Sequence, residues 1–263
     1  MGDGTFYFTK TKKGNWNFYF KVVQNKSNLR MLYYIKSIIK VGSIQTTSNI
    51  NTSNSIIAHY LIQDKKAIIQ YLLPIFDKYS LLTSKEFHYN QFRKAILISE
   101  NSNLAKKDKD NIILCIKNDI MPNNYTSSAW KGYNIDNLTT PVVNTIMSKE
   151  WLVGFAEVKG NFYLTYSKYK YISHFFAITQ KQDKIVINAI AVKLNLGFYE
   201  KEGNNFYCKT TNKESIQYII EYFHNTIKGI KSLEYRIWAR SFNKKFPYQE
   251  LVKVRNKMKK LFN

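Results

Sequence analysis

Cysteine is nearly absent from this sequence, and long apolar runs are absent altogether. Only Cys115 and Cys208 occur among the 263 residues, which is too few for a disulfide framework and not the spacing of a zinc site. This usage fits a reducing compartment. No apolar run reaches the length of a membrane span, and the first residues show neither a secretory apolar region nor an Arg-rich presequence. We therefore expect neither a disulfide-rich module nor a membrane partner.

Histidine is also sparse and is scattered along the chain. The four histidines predict no histidine metal cluster and no nucleophilic triad, and they are His59, His88, His174 and His224. We expect packing or surface roles for them.

Acidic residues are scarce relative to basic ones. The chain has 18 Asp and Glu against 40 Lys and Arg, a formal net charge of +22 at pH 7. A charge of this size repels itself in the folded state unless a polyanion is the partner, and nucleic acid is the natural candidate. Coding bias of an AT-rich gene is an alternative source of lysine, but it leaves the same phosphate-attracting surface.

The chain carries a second copy of its own pattern. The string from Gly4 to Thr9, Gly-Thr-Phe-Tyr-Phe-Thr, matches the string Gly-Asn-Phe-Tyr-Leu-Thr that begins at Gly160, an offset of 156 residues. The same offset carries Gln24 onto Gln180. An internal duplication predicts two pseudo-symmetric halves, and 263 residues suffice for two domains.

In the second copy, a short helix precedes a hairpin. Ser148 is a candidate N-cap, and Gly154 is small enough for another helix to approach closely. The helix ends at Gly160, for which a left-handed conformation is expected. Its apolar face is formed by Trp151, Leu152, Phe155 and Ala156. Alternation then predicts strands at 161–170 and about 173–180, and in the first copy at about 5–12 and 16–24.

The remaining pattern predicts further helices and strands in each half. Helices are expected at 26–40, at 67–76 with an end near Pro74, and at 84–98, with strands within 41–62 and a charged loop at 100–110. In the second half we expect helices at 182–194, 213–226 and from Gln249 onward, with strands at 197–210. The predicted domains are 1–120 and 148–263, joined by a linker at 121–147.

These residues resemble a known family. Leu152 to Gly160, Leu-Val-Gly-Phe-Ala-Glu-Val-Lys-Gly, is similar to the nine-residue motif of the LAGLIDADG homing endonucleases and their intron-maturase relatives, and Met1 to Gly4 resembles the last four positions of another copy. The resemblance therefore implies a first motif helix that is largely missing from this sequence. Segments similar to fungal-type mitochondrial intron proteins are Leu73–Tyr79, Leu81–Lys85, Ile178–Lys181 and Lys231–Ser241.

The resemblance implies an α+β fold with two αββαββα domains, whose antiparallel sheets form a DNA-binding saddle. It also implies a monomer that binds a double-stranded DNA target, uses Mg²⁺ and is encoded in the mitochondrion, with its own intron RNA as a further possible partner.

The eighth motif position in this family is an acid that binds the divalent metal. It corresponds to Asp3 in the first copy and to Lys159 in the second. Backbone carbonyls of Gly2 and Val158 are the other metal ligands that the resemblance implies. A protonated ammonium cannot ligate a metal, and Glu157 points about 200° away from position 159 on a helix. Lys159 is thus a degenerate catalytic position.

Further site residues are carried over from the resemblance. Gln24 and Gln180 match the position that organises water near the metals, and Lys213 and Lys65 resemble the peripheral lysine that stabilises phosphate charge. Candidate major-groove readers are Thr9, Thr11, Lys13, Asn15 and Asn17 in the first hairpin, and Thr165, Ser167, Tyr169, Lys170 and Ser173 in the second.

The expected function is therefore a homing endonuclease that hydrolyses phosphodiesters, weakened or limited to nicking by Lys159. Two alternatives stay open: an RNA-binding maturase without nuclease activity, and a decayed copy that binds nucleic acid without sequence preference.

Overall fold

The computed structural model describes residues 2–48, 56–166 and 171–262. The chain divides into two compact units, with the division between Lys131 and Gly132, inside the segment predicted as a linker. We call Asp3–Lys131 the N-terminal unit; the C-terminal unit starts at Gly132, and Gly2 clusters with it. Within the described ranges, no helix combines the length and apolarity needed to cross a bilayer.

The N-terminal unit is a four-stranded antiparallel sheet with helices, and its strand order is β1-β2-β4-β3. Its elements are β1 Gly4–Lys10, β2 Trp16–Asn25, α1 Leu29–Ile39, β3 Ser43–Ser48, β4 Ile56–Ile62, α2 Lys65–Ala67, a π-helical segment Ile68–Leu72, α3 Leu73–Lys78, α4 Lys85–Glu100 and α5 Lys106–Asn118.

The C-terminal unit repeats this plan, with strand order β5-β6-β8-β7. Its elements are α6 Thr140–Ile146, α7 Lys149–Lys159, β5 Gly160–Tyr166, β6 Ile172–Lys181, α8 Lys184–Leu194, β7 Gly197–Lys201, β8 Asn205–Thr210, α9 Lys213–Phe223, α10 Lys231–Asn243 and α11 Tyr248–Phe262.

The predicted duplication and the α+β class with two antiparallel sheets are confirmed. Gly4 pairs with Val22 in one sheet and Gly160 with Ile178 in the other, so the offset of 156 residues holds across both hairpins. The hairpin is followed in each unit by a helix and a second pair of strands.

Alternation places the aromatic residues of each sheet under the helices. In the N-terminal unit, the buried rings of Phe6 and Phe20 lie 5.3 Å apart, and Phe92 from α4 lies 5.4 Å from Phe6. In the C-terminal unit, the ring centroid of Phe162 lies 5.2 Å from that of Trp238 in α10. Each such buried side chain contributes about 1.5–3 kcal/mol, so the helices are fixed to one face of each sheet and the other face is left open.

The segment 121–147 carries more structure than a linker. Trp130 is buried, and its indole N–H donates to the Leu82 carbonyl at 2.8 Å. Buried Glu86 accepts hydrogen bonds from Tyr125 Oη at 2.6 Å and from the Ser128 amide at 2.7 Å. The first part of this segment therefore packs on the N-terminal unit.

Two details of the predicted helices are wrong. Gly160 is extended, with φ −74° and ψ 144°, rather than left-handed. Glycine is required there because an added Cβ would lie 2.7 Å from the Ala156 carbonyl oxygen. Pro74 does not end its helix, since it lies at the start of α3 after the π-helical segment, where the Leu73 N–H bonds to the Ile68 carbonyl. The wider π turn accommodates the proline ring.

Three helices among the described residues were missed, and one of them is α6, which lies inside the segment predicted as a linker. The charged loop expected at 100–110 ends early, since α5 begins at Lys106 with its charges exposed and Ile113 buried. No element had been predicted for the segment that forms α10, in which Tyr235 and Trp238 are buried.

Candidate active site

A chain of hydrogen bonds holds Asp3 just before β1. The Gln24 amide donates to Asp3 Oδ2 at 2.6 Å, and buried Asn28 donates to Gln24 Oε1 at 2.7 Å. Hydrogen bonds to a charged acceptor are each worth about 1.5–3 kcal/mol. The structure therefore brings two of the predicted site residues, Asp3 and Gln24, into direct contact and fixes the orientation of the carboxylate.

A lysine that was not predicted as a site residue contacts the residue that follows Asp3. Lys85, the first residue of α4, donates from Nζ to the Gly4 carbonyl oxygen at 2.7 Å. Gly4 follows Asp3 directly in the chain, so the ammonium of Lys85 places positive charge at the end of the motif.

The C-terminal unit repeats this lysine contact. Lys231, the first residue of α10, donates to the Gly160 carbonyl oxygen at 2.6 Å and lies 3.4 Å from Glu234 Oε2. Glu234 in turn accepts from the Phe162 amide at 2.8 Å. The lysine is therefore part of the duplicated plan, although the offset from Lys85 to Lys231 is 146 residues rather than 156.

The acid of this plan is replaced in the C-terminal unit. Lys159 ends α7 and is half-exposed, and its carbonyl accepts from Asn161 at 3.3 Å. Gln180, the counterpart of Gln24, donates instead to Asp183 Oδ2 at 2.9 Å. The two glutamines thus both bind a carboxylate, but only Gln24 binds the one at the motif position.

Glu157 does not replace the missing acid. Its carboxylate accepts from the Gly229 amide at 3.0 Å and also from the Lys228 amide. Burial raises the pKa of Glu157, while the two amides act in the opposite direction. This carboxylate therefore fastens α7 to the turn before α10.

The Asp3 carboxylate offers oxygen donors of the kind that hard divalent ions such as Mg²⁺ prefer. The backbone carbonyls of Gly2 and Val158 as further ligands stay a prediction. Gly2 lies close to Val158, since an added Cβ on Gly2 would be 2.6 Å from Val158 Cβ. At Lys159 the donor set does not fit a cation. Across the described residues, no three His, Cys, Asp or Glu side chains are grouped to hold a metal ion.

The roles of Lys65 and Lys213, carried over as peripheral lysines, stay a prediction. Lys65 comes after the last residue of β4, whereas Ala58, which pairs with Gln24, lies near the start of that strand. Lys65 Nζ binds Glu100 Oε1 at 2.9 Å and Ser99 Oγ at 3.1 Å. Lys213 begins α9 and is exposed. Geometry favours Lys85 and Lys231 for that position, because they contact the residue after each motif's eighth position.

The candidate base readers occupy the two hairpins. Thr9 pairs with Asn17, and Thr165 pairs with Ser173, at corresponding places on the open faces of the two sheets. Thr11 and Asn15 close the first turn, because the Asn15 amide donates to Thr11 Oγ1 at 3.1 Å, and exposed Lys13 lies between them. The candidates Ser167, Tyr169 and Lys170 lie outside the described residues.

Stacked aromatic pairs on the open faces were not predicted. Tyr7 stacks on Tyr19 with ring centroids 4.8 Å apart, and at the same offset Tyr163 stacks on Phe175 at 4.5 Å. Tyr7 and Tyr163 are 37% and 39% exposed. Aromatic rings at exposed positions of both repeats were visible in the sequence, and such rings commonly mark contact surfaces.

Comparison with known proteins places these features in a family. The family described as LAGLIDADG endonuclease matches residues 1–96 and 152–242. The chain is 32% identical to the probable intron-encoded endonuclease Cox1-I1b of Schizosaccharomyces pombe, an alignment that covers 100% of this chain and 67% of that protein. It is 29% identical to the uncharacterized mitochondrial protein RF1 of Saccharomyces cerevisiae, over 61% of this chain and 30% of that protein.

A solved structure gives the same assignment at the level of fold. The chain is similar to I-SmaMI bound to an uncleaved DNA target in the presence of calcium ions, with a TM-score of 0.75 and 25% identity, covering 99% of this chain and 94% of that one.

Proposed function

The chain belongs to the LAGLIDADG endonuclease family, and on that premise we propose that it binds a long double-stranded DNA target and hydrolyses one strand of it with Mg²⁺. The observation that carries this proposal is the difference between the two motif ends. Asp3 is held by Gln24 in the N-terminal unit, whereas Lys159 takes the corresponding position in the C-terminal unit.

The residues at the first motif end have separable roles. Asp3, with the carbonyls of Gly2 and Val158, would hold Mg²⁺, which when bound supplies Lewis-acid activation of water and neutralises the leaving oxygen. Gln24 orients the Asp3 carboxylate and is itself fixed by Asn28. Lys85 supplies positive charge where phosphate charge develops.

The second motif end lacks the carboxylate that this chemistry requires. Lys231 is in place, but Lys159 brings a positive charge where a cation should bind. We therefore expect a nicked product rather than a double-strand break. The open faces of the two sheets, with a net charge of +22 on the chain, supply the DNA contact surface.

An RNA-binding maturase is the second candidate function, and Lys159 favours it. Binding to a folded intron requires no carboxylate at position 159, and a basic surface suffices. In either role we propose that the protein is a mitochondrial, intron-encoded monomer, which agrees with the intron-encoded and mitochondrial relatives.

Cleavage of a selected site tests the proposal. The protein would first select its binding site from a randomised DNA pool, and the site would then be placed in a supercoiled plasmid and incubated with Mg²⁺. We expect nicked circles from the natural protein and none from Asp3→Asn, while both bind the site with the same salt dependence. Equal activity of the two proteins would refute the role of Asp3, and preference for the intron RNA over any DNA would favour the maturase.

A further inference from the structure

A basic cavity lies at the hairpin end of the N-terminal unit. Its volume is about 350 Å³, which is within the range of small-ligand sites. It is lined by the β1–β2 turn at 14–16, by Lys65 and Ser99, and by the first two turns of α5.

Positive charge dominates this cavity. Three lysines line it, Lys65, Lys106 and Lys109, against one carboxylate, Asp110. That carboxylate is already bound, since it accepts from the Trp16 indole N–H at 2.8 Å and pairs with Lys10 at 3.1 Å. Hydrogen bonds from Lys10 and Trp16 hold the pKa of Asp110 below its usual value, so it stays ionised and engaged. Lys65 pairs with Glu100 at 2.9 Å, and Lys109 donates to the Ser99 carbonyl oxygen at 3.4 Å. The charges of Lys106 and Lys109 therefore exceed those of the carboxylates.

The walls of the cavity are preformed. Trp16 is 6% exposed and is held by its hydrogen bond to Asp110. The N-cap of α5, Ala105, makes no side-chain cap hydrogen bond, so the amides of the first turn are available to an anion. A fixed apolar wall, an uncapped helix start and surplus ammonium groups together suit an anion with several oxygens.

The cavity belongs to the helix side of the sheet. Lys65 Nζ lies 5.5 Å from the ring of Phe18, a core residue, and Trp16 is on the same buried face. The candidate readers Thr9 and Asn17 lie on the opposite, open face. An anion in the cavity is therefore bound on the helix side of the sheet, with Asn15 of the turn the one candidate reader among the described residues that also lines the cavity.

We propose that this cavity is a phosphate site, occupied by a phosphate of a nucleic-acid backbone or by a free polyphosphate. Its nucleic-acid source rests on the proposed function, but the phosphate chemistry does not. Lys106 and Lys109 supply the charge, and the first turn of α5 supplies the amides.

The binding test follows the indole N–H of Trp16 by ¹H–¹⁵N NMR while pyrophosphate is added at low salt. We expect a saturable shift in the natural protein and in the control Lys94→Gln/Lys107→Gln, which removes two exposed lysines outside the cavity. The variant Lys106→Gln/Lys109→Gln should bind at least about tenfold more weakly. No shift in the natural protein, or equal titrations of the two variants, would overturn the proposal.

Salt dependence of binding to the selected DNA site identifies the source of the phosphate. Each lost backbone contact reduces the slope of log K against log salt by about 0.9. If Lys106→Gln/Lys109→Gln has a smaller slope and the control Lys94→Gln/Lys107→Gln does not, the cavity binds a backbone phosphate. If the slope is unchanged but pyrophosphate binding is lost, the cavity binds a free polyphosphate. The NMR result does not require cleavage, so loss of nuclease activity would leave this proposal intact.

Discussion

Replacing the two motif lysines separately should affect cleavage very unequally. Lys85 and Lys231 make the same structural contact, each to the carbonyl oxygen of the glycine after the motif's eighth position, at 2.7 and 2.6 Å. Only Lys85 contacts a glycine that follows a motif carboxylate, Asp3. We therefore expect Lys85→Met to slow nicking and Lys231→Met to leave it nearly unchanged.

The size of each effect on nicking and on stability follows from the interaction that each substitution removes. Removing one donor that stabilises developing oxyanion charge lowers kcat by about 10²–10³, so Lys85→Met should nick about 100-fold more slowly at saturating protein. Both variants should lower the free energy of unfolding by a similar amount, about 1.5–3 kcal/mol for a charged hydrogen bond. Lys231→Met also loses the ion pair with Glu234. Single-turnover nicking of plasmid and urea unfolding would be measured on both. Equal loss of nicking in the two variants would refute the assignment and leave both lysines as structural residues.

Three further predictions concern stability and DNA contact. Burial lowers the pKa of His174 to about 4, whereas the pKa in the unfolded chain is near 6.5. The neutral imidazole therefore contributes its full stabilisation above pH 6.5, and the free energy of unfolding falls by about 2 kcal/mol when the pH is lowered to 5. His174→Gln should lack this pH-dependent loss when unfolding is measured in urea. Gly160→Ala should destabilise the protein by about 1–3 kcal/mol, because its Cβ would lie 2.7 Å from the Ala156 carbonyl oxygen. Gly154→Ala should instead stabilise the helix by about 0.5–1 kcal/mol in the same assay, because beyond its own helix no described atom lies within 4 Å of the new Cβ. Tyr163→Ala on the open face should weaken binding to selected DNA about tenfold, and Tyr218→Ala on α9, also exposed, should not, as measured by fluorescence anisotropy at fixed salt.

The parts of the fold that sequence predicted are those set by local pattern. Alternating aromatic residues and the shared offset of 156 residues located both hairpins, because burial of one strand face requires that period. The same offset carried Gln24 onto Gln180. The expected role of Gly154 in close helix packing has no counterpart among the described residues, where Gly154 is exposed.

The parts that escaped depend on contacts between distant positions. Lys85 reaches Gly4 across 81 residues of chain, and nothing local distinguishes it from the other basic side chains of the sequence. Glu157 is engaged by amides 71 and 72 residues away. The start of α5 was hidden because lysines dominate its first turns and only Ile113 is buried.

The asymmetry between Asp3 and Lys159 is tested most directly by restoring the missing acid. Lys159→Asp and the natural protein would each be incubated with Mg²⁺ and supercoiled plasmid carrying the selected site, and nicked and linear products would be separated on a gel. We expect only nicked circles from the natural protein and linear DNA from Lys159→Asp. Linear DNA from the natural protein at the same rate as from the variant would contradict the account, because a carboxylate at position 159 would then be unnecessary for cutting the second strand.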